Sequence, residues 1–250
     1  MKKLILTSLA ILLLAAPSFA QVGGWVLTTD YSAFGNVRAF EAASPWAVSS
    51  DLAPIPGDHA GRWHGGKVYV VGRGGSNVLQ VYDPAGGFAL VREFSLGSGL
   101  NLQDIAFDSA GDAYLSCYDQ ALLLRVDVEN EVILDTYDTA FLADADGLPE
   151  TAWMIAVEDR LFIAVQKLDS LNWYSPTGPG AVAVFDMAAE QWIDVDPVME
   201  EVQPIPLQGA NPYTRFDPVR NDVGDLVLRV GCSGSFVVLD GGVEEIDPFG

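Results

Sequence analysis

The chain has 250 residues, with 13 Lys and Arg against 34 Asp and Glu, a formal net charge of −21. A surface of that sign repels nucleic-acid phosphates and anionic lipid, which excludes nucleic acid and stable membrane insertion from the expected partners. Half the residues are hydrophobic (50%), enough for a sizeable core, and the two cysteines form no C-x-x-C, which excludes redox, zinc-knuckle and haem-attachment motifs.

Residues 1–20 read as a secretory signal: Lys2-Lys3, an apolar run over 4–16, then Ser18-Phe19-Ala20 with cleavage before Gln21. A periplasmic or secreted location is expected. No later segment is apolar and long enough to span a bilayer as a helix. The remaining 21–250 reads as one all-β domain made of altered copies of a single unit.

In chain order, copy one is GWVLTTDYSAFGNVRAFE, near 24–56, and copy two is GKVYVVGRGGSNVLQVYD, near 57–101. Copy three, near 102–140, is the clearest. It predicts strands at Ile105–Phe107, Ala113–Tyr118, Leu122–Val126 and Val132–Tyr137. Copy four, near 150–200, runs DRLFIAVQKLDS, an insertion rich in Pro and Gly, then GAVAVFD. Copy five, near 210–250, is GDLVLRVGCSGSFVVLD and aligns with copy three without a gap.

Two anchors recur. A turn residue (Gly24, Gly66, Gly111, Asp159, Gly224) precedes the second strand, and an acid (Glu41, Asp83, Asp127, Asp186, Asp240) closes the third. The acid reads as a turn-former, because Asp at a strand end accepts backbone N–H bonds from residues just beyond it. An apolar residue soon after it (Trp46, Phe88, Val132, Trp192) marks the start of a fourth strand. Strand-rich units of this length, apolar on both faces and without amphipathic helices, predict a β-propeller of four-stranded antiparallel blades, about five copies in all. A β-sandwich, the alternative, demands no such period. The first copy lacks a first strand and no later segment is left to supply it, so the expectation is either an unusual five-bladed ring or, the favoured reading, an incomplete ring that is a fragment of a larger propeller.

The segments IAFDSAGDAYL, GKVYVVGRGGSNVLQVYD and DRLFIAVQ…GAVAVFD resemble the YVTN-type and related β-propeller repeats of exported bacterial proteins. The literal YVTN is absent, and VYVVG at 68–72 is the nearest match. The resemblance covers most of residues 24–247 and implies a binding platform, with no catalytic motif to carry over.

Turns after the second strands gather on one face of a propeller, around the channel. They nominate Asp30, Tyr31, Arg73, Tyr118, Asp119, Gln166 and Lys167 as a ligand-binding face. Asp144-Ala145-Asp146-Gly147, with Glu150, resembles the start of a calcium loop, so these three acids are the candidate metal ligands and calcium the candidate cofactor. The bland reading is a turn between blades. Gly72–Asn77 reads as a hairpin turn, since a strand follows where a phosphate loop needs a helix. Asp58, His59 and His64 read as structural. Cys117 and Cys232 fall in blades three and five, too far apart for a disulfide. The expected function is a non-catalytic exported propeller binding a protein or small molecule. The alternatives are a divalent-cation-dependent hydrolase or lyase and a cell-surface structural module.

Overall fold

Short apolar segments punctuated by Asp, Asn and Gly close into hairpins before any helix can propagate. The computed structural model describes residues 22–30, 33–44, 46–235 and 239–250. The leader and Tyr31 lie outside them. All sheets are antiparallel and follow one another along the chain as five blades of a β-propeller ring.

Blade one holds β1 (Val22–Thr29), β2 (Phe34–Glu41) and β3 (Ala53–Pro56), in that order. Blade two holds β4 (His59–His64), β5 (Lys67–Gly72), β6 (Val78–Asp83) and β7 (Ala89–Ser95). Blade three holds β8 (Leu102–Phe107), β9 (Ala113–Cys117), β10 (Leu122–Asp127) and β11 (Val132–Asp138). A 3₁₀ turn at Ala140–Leu142 leads to blade four, which opens with β12 (Thr151–Val157) and β13 (Arg160–Val165). A small hairpin of β14 (Leu168–Asp169) and β15 (Ser175–Pro176) forms the insertion. Blade four then closes with β16 (Ala181–Asp186), β17 (Gln191–Ile193) and β18 (Ile205–Pro206), the last pairing with β16. Blade five holds β19 (Asp217–Arg220), β20 (Leu226–Cys232) and β21 (Gly242–Ile246).

Four apolar cores sit between successive blades. Val37, Ile55, Val68 and Tyr82 join blades one and two. Val71, Leu79, Leu102, Leu115 and Leu124 join two and three. Tyr114, Leu123, Met154, Ile163 and Phe185 join three and four, and Phe162, Val184, Leu228, Val230 and Ile246 join four and five. This explains why strict alternation fails in the sequence: a central strand such as β9 is buried at every position, because both of its faces meet another blade. Each fully buried Leu or Phe contributes roughly 1.5–3 kcal/mol. The outer strands β7 and β11 are mostly exposed.

The acids at strand ends make turns. Oδ1 of Asp83 accepts from the Ala85 amide, that of Asp127 from Asn130, and that of Asp186 from both Ala188 and Ala189. Asp108 does the same before β9, taking three amides on one oxygen. Much of the acidic composition is therefore spent on closing hairpins.

Three local expectations change. Phe88 is buried in a left-handed turn (φ 62°) and β7 starts one residue later, while exposed Trp46 (φ 54°) precedes no strand until Ala53. In blade five, residues 236–238 of the expected third strand lie outside the described residues. The terminal segment, expected as a fourth strand, pairs directly with β20, with Gly231 opposite Val243.

Candidate functional site at the channel face

The innermost strands β4, β8 and β12 pack side by side. Gly61 in β4 permits the closest approach of blade one: a Cβ there would lie 2.3 Å from Leu27 Cδ1. Polar side chains interrupt these otherwise apolar strands. Arg62 in β4 donates through Nε to Asp104 Oδ1 of β8 (2.8 Å), and through Nη2 to Asp104 Oδ2 and to the Met154 carbonyl of β12 (3.0 Å). Asp104 Oδ2 also accepts the Met154 amide (2.8 Å). Asp104 is fully buried, which is tolerable because its oxygens are paired with a cation and an amide. Burial works to lower the Arg62 pKa, but the hydrogen bond and charge of Asp104 more than offset it.

Beside this pair stands Trp153. The guanidinium carbons of Arg73 and Arg215 lie 5.3 Å and 4.9 Å from its ring centroid, within cation–π range. The Trp153 indole N–H donates to the Tyr213 carbonyl. Arg73 Nε is buried without a hydrogen bond; its nearest carboxylate oxygen, Asp58 Oδ1, is at the ion-pair distance of 3.5 Å.

Hydrogen bonds then run around the face from blade to blade. The Gly74 amide donates to Asn101 Oδ1 (3.0 Å), and the Asn101 amide to Asn77 Oδ1 (2.8 Å). Asn101 Nδ2 donates to Asp119 Oδ1 (3.1 Å). The Tyr118 hydroxyl donates to Gln166 Oε1 (2.7 Å), and Gln166 Nε2 to the Pro212 carbonyl (3.2 Å). Tyr118, Asp119 and buried Gln166 thus contribute side chains to these bonds, and Arg73 precedes the Gly74 amide that joins them. Asp30 caps its own turn by accepting the Ala33 and Phe34 amides, and Lys167 sits in a left-handed turn (φ 54°).

The candidate calcium acids occupy the connection into blade four and hold its insertion in place. Asp146 Oδ2 accepts from the Ser170 amide (3.0 Å) and hydroxyl (2.8 Å), and Asp144 Oδ2 from the Thr177 hydroxyl. Burial acts to raise the Asp146 pKa, but the Ser170 bonds outweigh it and the carboxyl sits below its usual range. Among the described residues, no group of three or more His, Cys, Asp or Glu side chains is arranged to hold a metal ion.

Glu150 differs from both. It is fully buried, in a left-handed conformation (φ 44°), and Oε2 accepts the Leu168 amide (2.9 Å) while Oε1 has no partner. Burial pushes its carboxyl up to about 8; the Leu168 amide opposes this, and the negative charges of Asp146, Asp144 and Asp119 add to it. Tyr118 is raised too, first by burial and then by the Glu150 charge. His59 Nδ1 is bonded to the Pro56 carbonyl (2.7 Å) and His64 stacks on Phe107 at 4.0 Å, so both are structural. Cys117 and Cys232 are free and buried, and burial pushes each thiol up to about 12.

The nominated turns omitted Arg62, Asp104, Trp153 and Arg215. The available signal was a charged side chain inside an apolar strand, as in HAGRWH and LQDIAF.

No family model matches the sequence, and no curated protein matches it. Solved structures match by shape. Kuenenia stuttgartiensis hydrazine synthase aligns with a TM-score of 0.55 at 13% identity, over 91% of this chain and 64% of that one. The periplasmic gluconolactonase of Pseudomonas aeruginosa aligns with a TM-score of 0.51 at 16% identity, over 89% and 66%. A Bacteroides caccae protein of unknown function gives a TM-score of 0.51 at 10% identity, over 90% and 78%. The chain therefore spans just under two thirds of the first two. At these identities the likeness establishes the propeller fold, shared with bacterial proteins, and among the described residues no helix is long and apolar enough to cross a membrane. The comparisons also correct one expectation. A synthase and a lactonase stand among the propellers of this shape, so a resemblance to propellers does not imply a non-catalytic platform.

Proposed function

We propose that the channel face performs general acid–base chemistry, hydrolysis or elimination, on a small molecule. The observation that carries this reading is Glu150, a buried carboxyl raised to about 8, with one oxygen unpartnered. At neutral pH it holds its proton and is an acid rather than an anion, which is how a carboxyl serves as a proton donor in an enzyme. Tyr118 and Gln166, hydrogen-bonded to each other, lie beside it. Arg73, Asp119, Asp30 and Lys167 supply rim contacts to the substrate. The leader supports export to the periplasm or beyond, and GKVYVVG supports a YVTN-type blade.

The test is a screen of lactones, aryl esters and elimination substrates with the wild-type protein, Glu150→Gln and Tyr118→Phe. Turnover is expected to fall as pH rises past about 8, to be lost in Glu150→Gln, and to drop by roughly 10²-fold in Tyr118→Phe. Turnover unaffected by Glu150→Gln, or no turnover of any of these substrates, refutes the reading.

A further inference from the structure

Among the described residues, the arginines of this acidic chain are nearly all occupied. Arg38, Arg62, Arg73, Arg92, Arg125 and Arg229 each lie within ion-pair distance of a carboxylate. Arg160 and Arg220 donate to the carbonyls of Pro248 and Gly224. Arg215 is different: among the described residues it has neither a carboxylate nor a carbonyl within bonding distance. It sits immediately before β19 and lies over Trp153. Two other guanidiniums, those of Arg62 and Arg73, repel it, offset in part by the charge of Asp104, which Arg62 already engages. Like charges gathered without a matching acid cost free energy unless something negative joins them.

We infer that Arg73 and Arg215, grouped about Trp153 at the channel, form a binding site for the oxyanion group of a small molecule, a carboxylate or a phosphate. Three observations converge on it. Arg73 has a buried Nε with no hydrogen bond, although Asp58 stands at ion-pair distance. Arg215 lacks an acid of its own and reaches solvent. Trp153 is fixed by its indole bond to Tyr213 and offers one ring to both guanidiniums. Guanidinium groups match oxyanions through paired N–H donors. Arg62 takes no direct part, since Asp104 and the Met154 carbonyl occupy it. Its charge is balanced by Asp104, which leaves Arg215 as the cation without an acid of its own beside Trp153.

This inference does not rest on Glu150 or on any turnover. The test uses the full chain and two probes, inorganic phosphate and benzoate, each titrated at ionic strength held constant with chloride. Binding is read by indole ¹H–¹⁵N NMR shifts and by thermal melting. A saturable shift of the Trp153 indole signal, assigned with Trp153→Phe, is expected. The two probes separate a phosphate from a carboxylate preference. Arg215→Gln, a substitution at an exposed side chain, is expected to weaken binding about tenfold, with Arg215→Lys intermediate. Shifts that do not saturate, or that are equal in wild type and Arg215→Gln, overturn the proposal. If binding is present but no substrate turns over, the anion site stands and the acid–base reading falls. If a substrate turns over but neither anion binds, the acid–base reading stands and the anion site falls.

Discussion

Replacing Glu150 with Gln keeps the size and planarity of the side chain and removes its titration. In the unfolded chain a Glu carboxyl titrates near 4.5, whereas in the folded protein it titrates near 8. Below pH 4.5 both states hold the proton and no stability is lost. Between the two values the unfolded state has released a proton that the folded state still holds. Stability therefore falls as pH rises, by about 1.4 kcal/mol per pH unit. From pH 5 to pH 7 this amounts to roughly 2–3 kcal/mol, a sizeable share of a typical domain's stability. The carboxylates held low, Asp83, Asp127 and Asp146, have the opposite sign, but they lose their contribution as pH falls below about 4. The assay is urea unfolding at pH 5, 6, 7 and 8, followed by tryptophan fluorescence. Wild type is expected to lose stability relative to Glu150→Gln across this series, so the gap between them changes by roughly 2–3 kcal/mol from pH 5 to pH 7. A constant gap refutes the claim that Glu150 is held protonated.

Asp104→Asn leaves Arg62 facing a neutral amide at the inner wall; a loss of about 3–5 kcal/mol is expected in the same unfolding assay, and a loss below about 1 kcal/mol contradicts the pair's structural role. Gly61→Ala drives a methyl into Leu27, at an expected cost of about 1–3 kcal/mol. Combining it with Leu27→Ala should recover part of that cost, whereas strict additivity in a double-mutant cycle counts against the contact. Asp146→Ala removes the bonds that tether Ser170, so limited proteolysis should accelerate near exposed Leu171 and Trp173 while the blade cores stay protected.

The fold was legible because the unit repeats. Copy three's four strands appear as β8 to β11 within a few residues of their expected ends, since hairpin turns and apolar runs are local signals. Three of the closing acids, Asp83, Asp127 and Asp186, were also readable as turn-formers, because their partners lie two or three residues away. At the channel face, Arg73, Tyr118, Asp119 and Gln166 stood out as ligand candidates through their equivalent positions in successive turns. Arg62 and Asp104 did not, since their pairing spans 42 residues and depends on how neighbouring blades pack. Glu150 stood out in the sequence as a candidate calcium ligand; its burial and its raised carboxyl, set by the insertion folding over it, were not legible there. The proximity of Arg215 to Trp153 depends likewise on distant segments, 62 residues apart in sequence.

The clamp of Arg62 on Asp104 and Met154 has a consequence for how such a molecule evolves. Blades built from one repeated unit look interchangeable. At the inner wall the symmetry is broken, because blade two gives a cation, blade three an anion, and blade four a peptide group that meets both. A chimera carrying a second copy of blade two in place of blade three would bring its own strand pairing with it, but not the carboxylate that receives Arg62. The order of the three middle units is thereby tied to one buried ion pair and the peptide group that meets it.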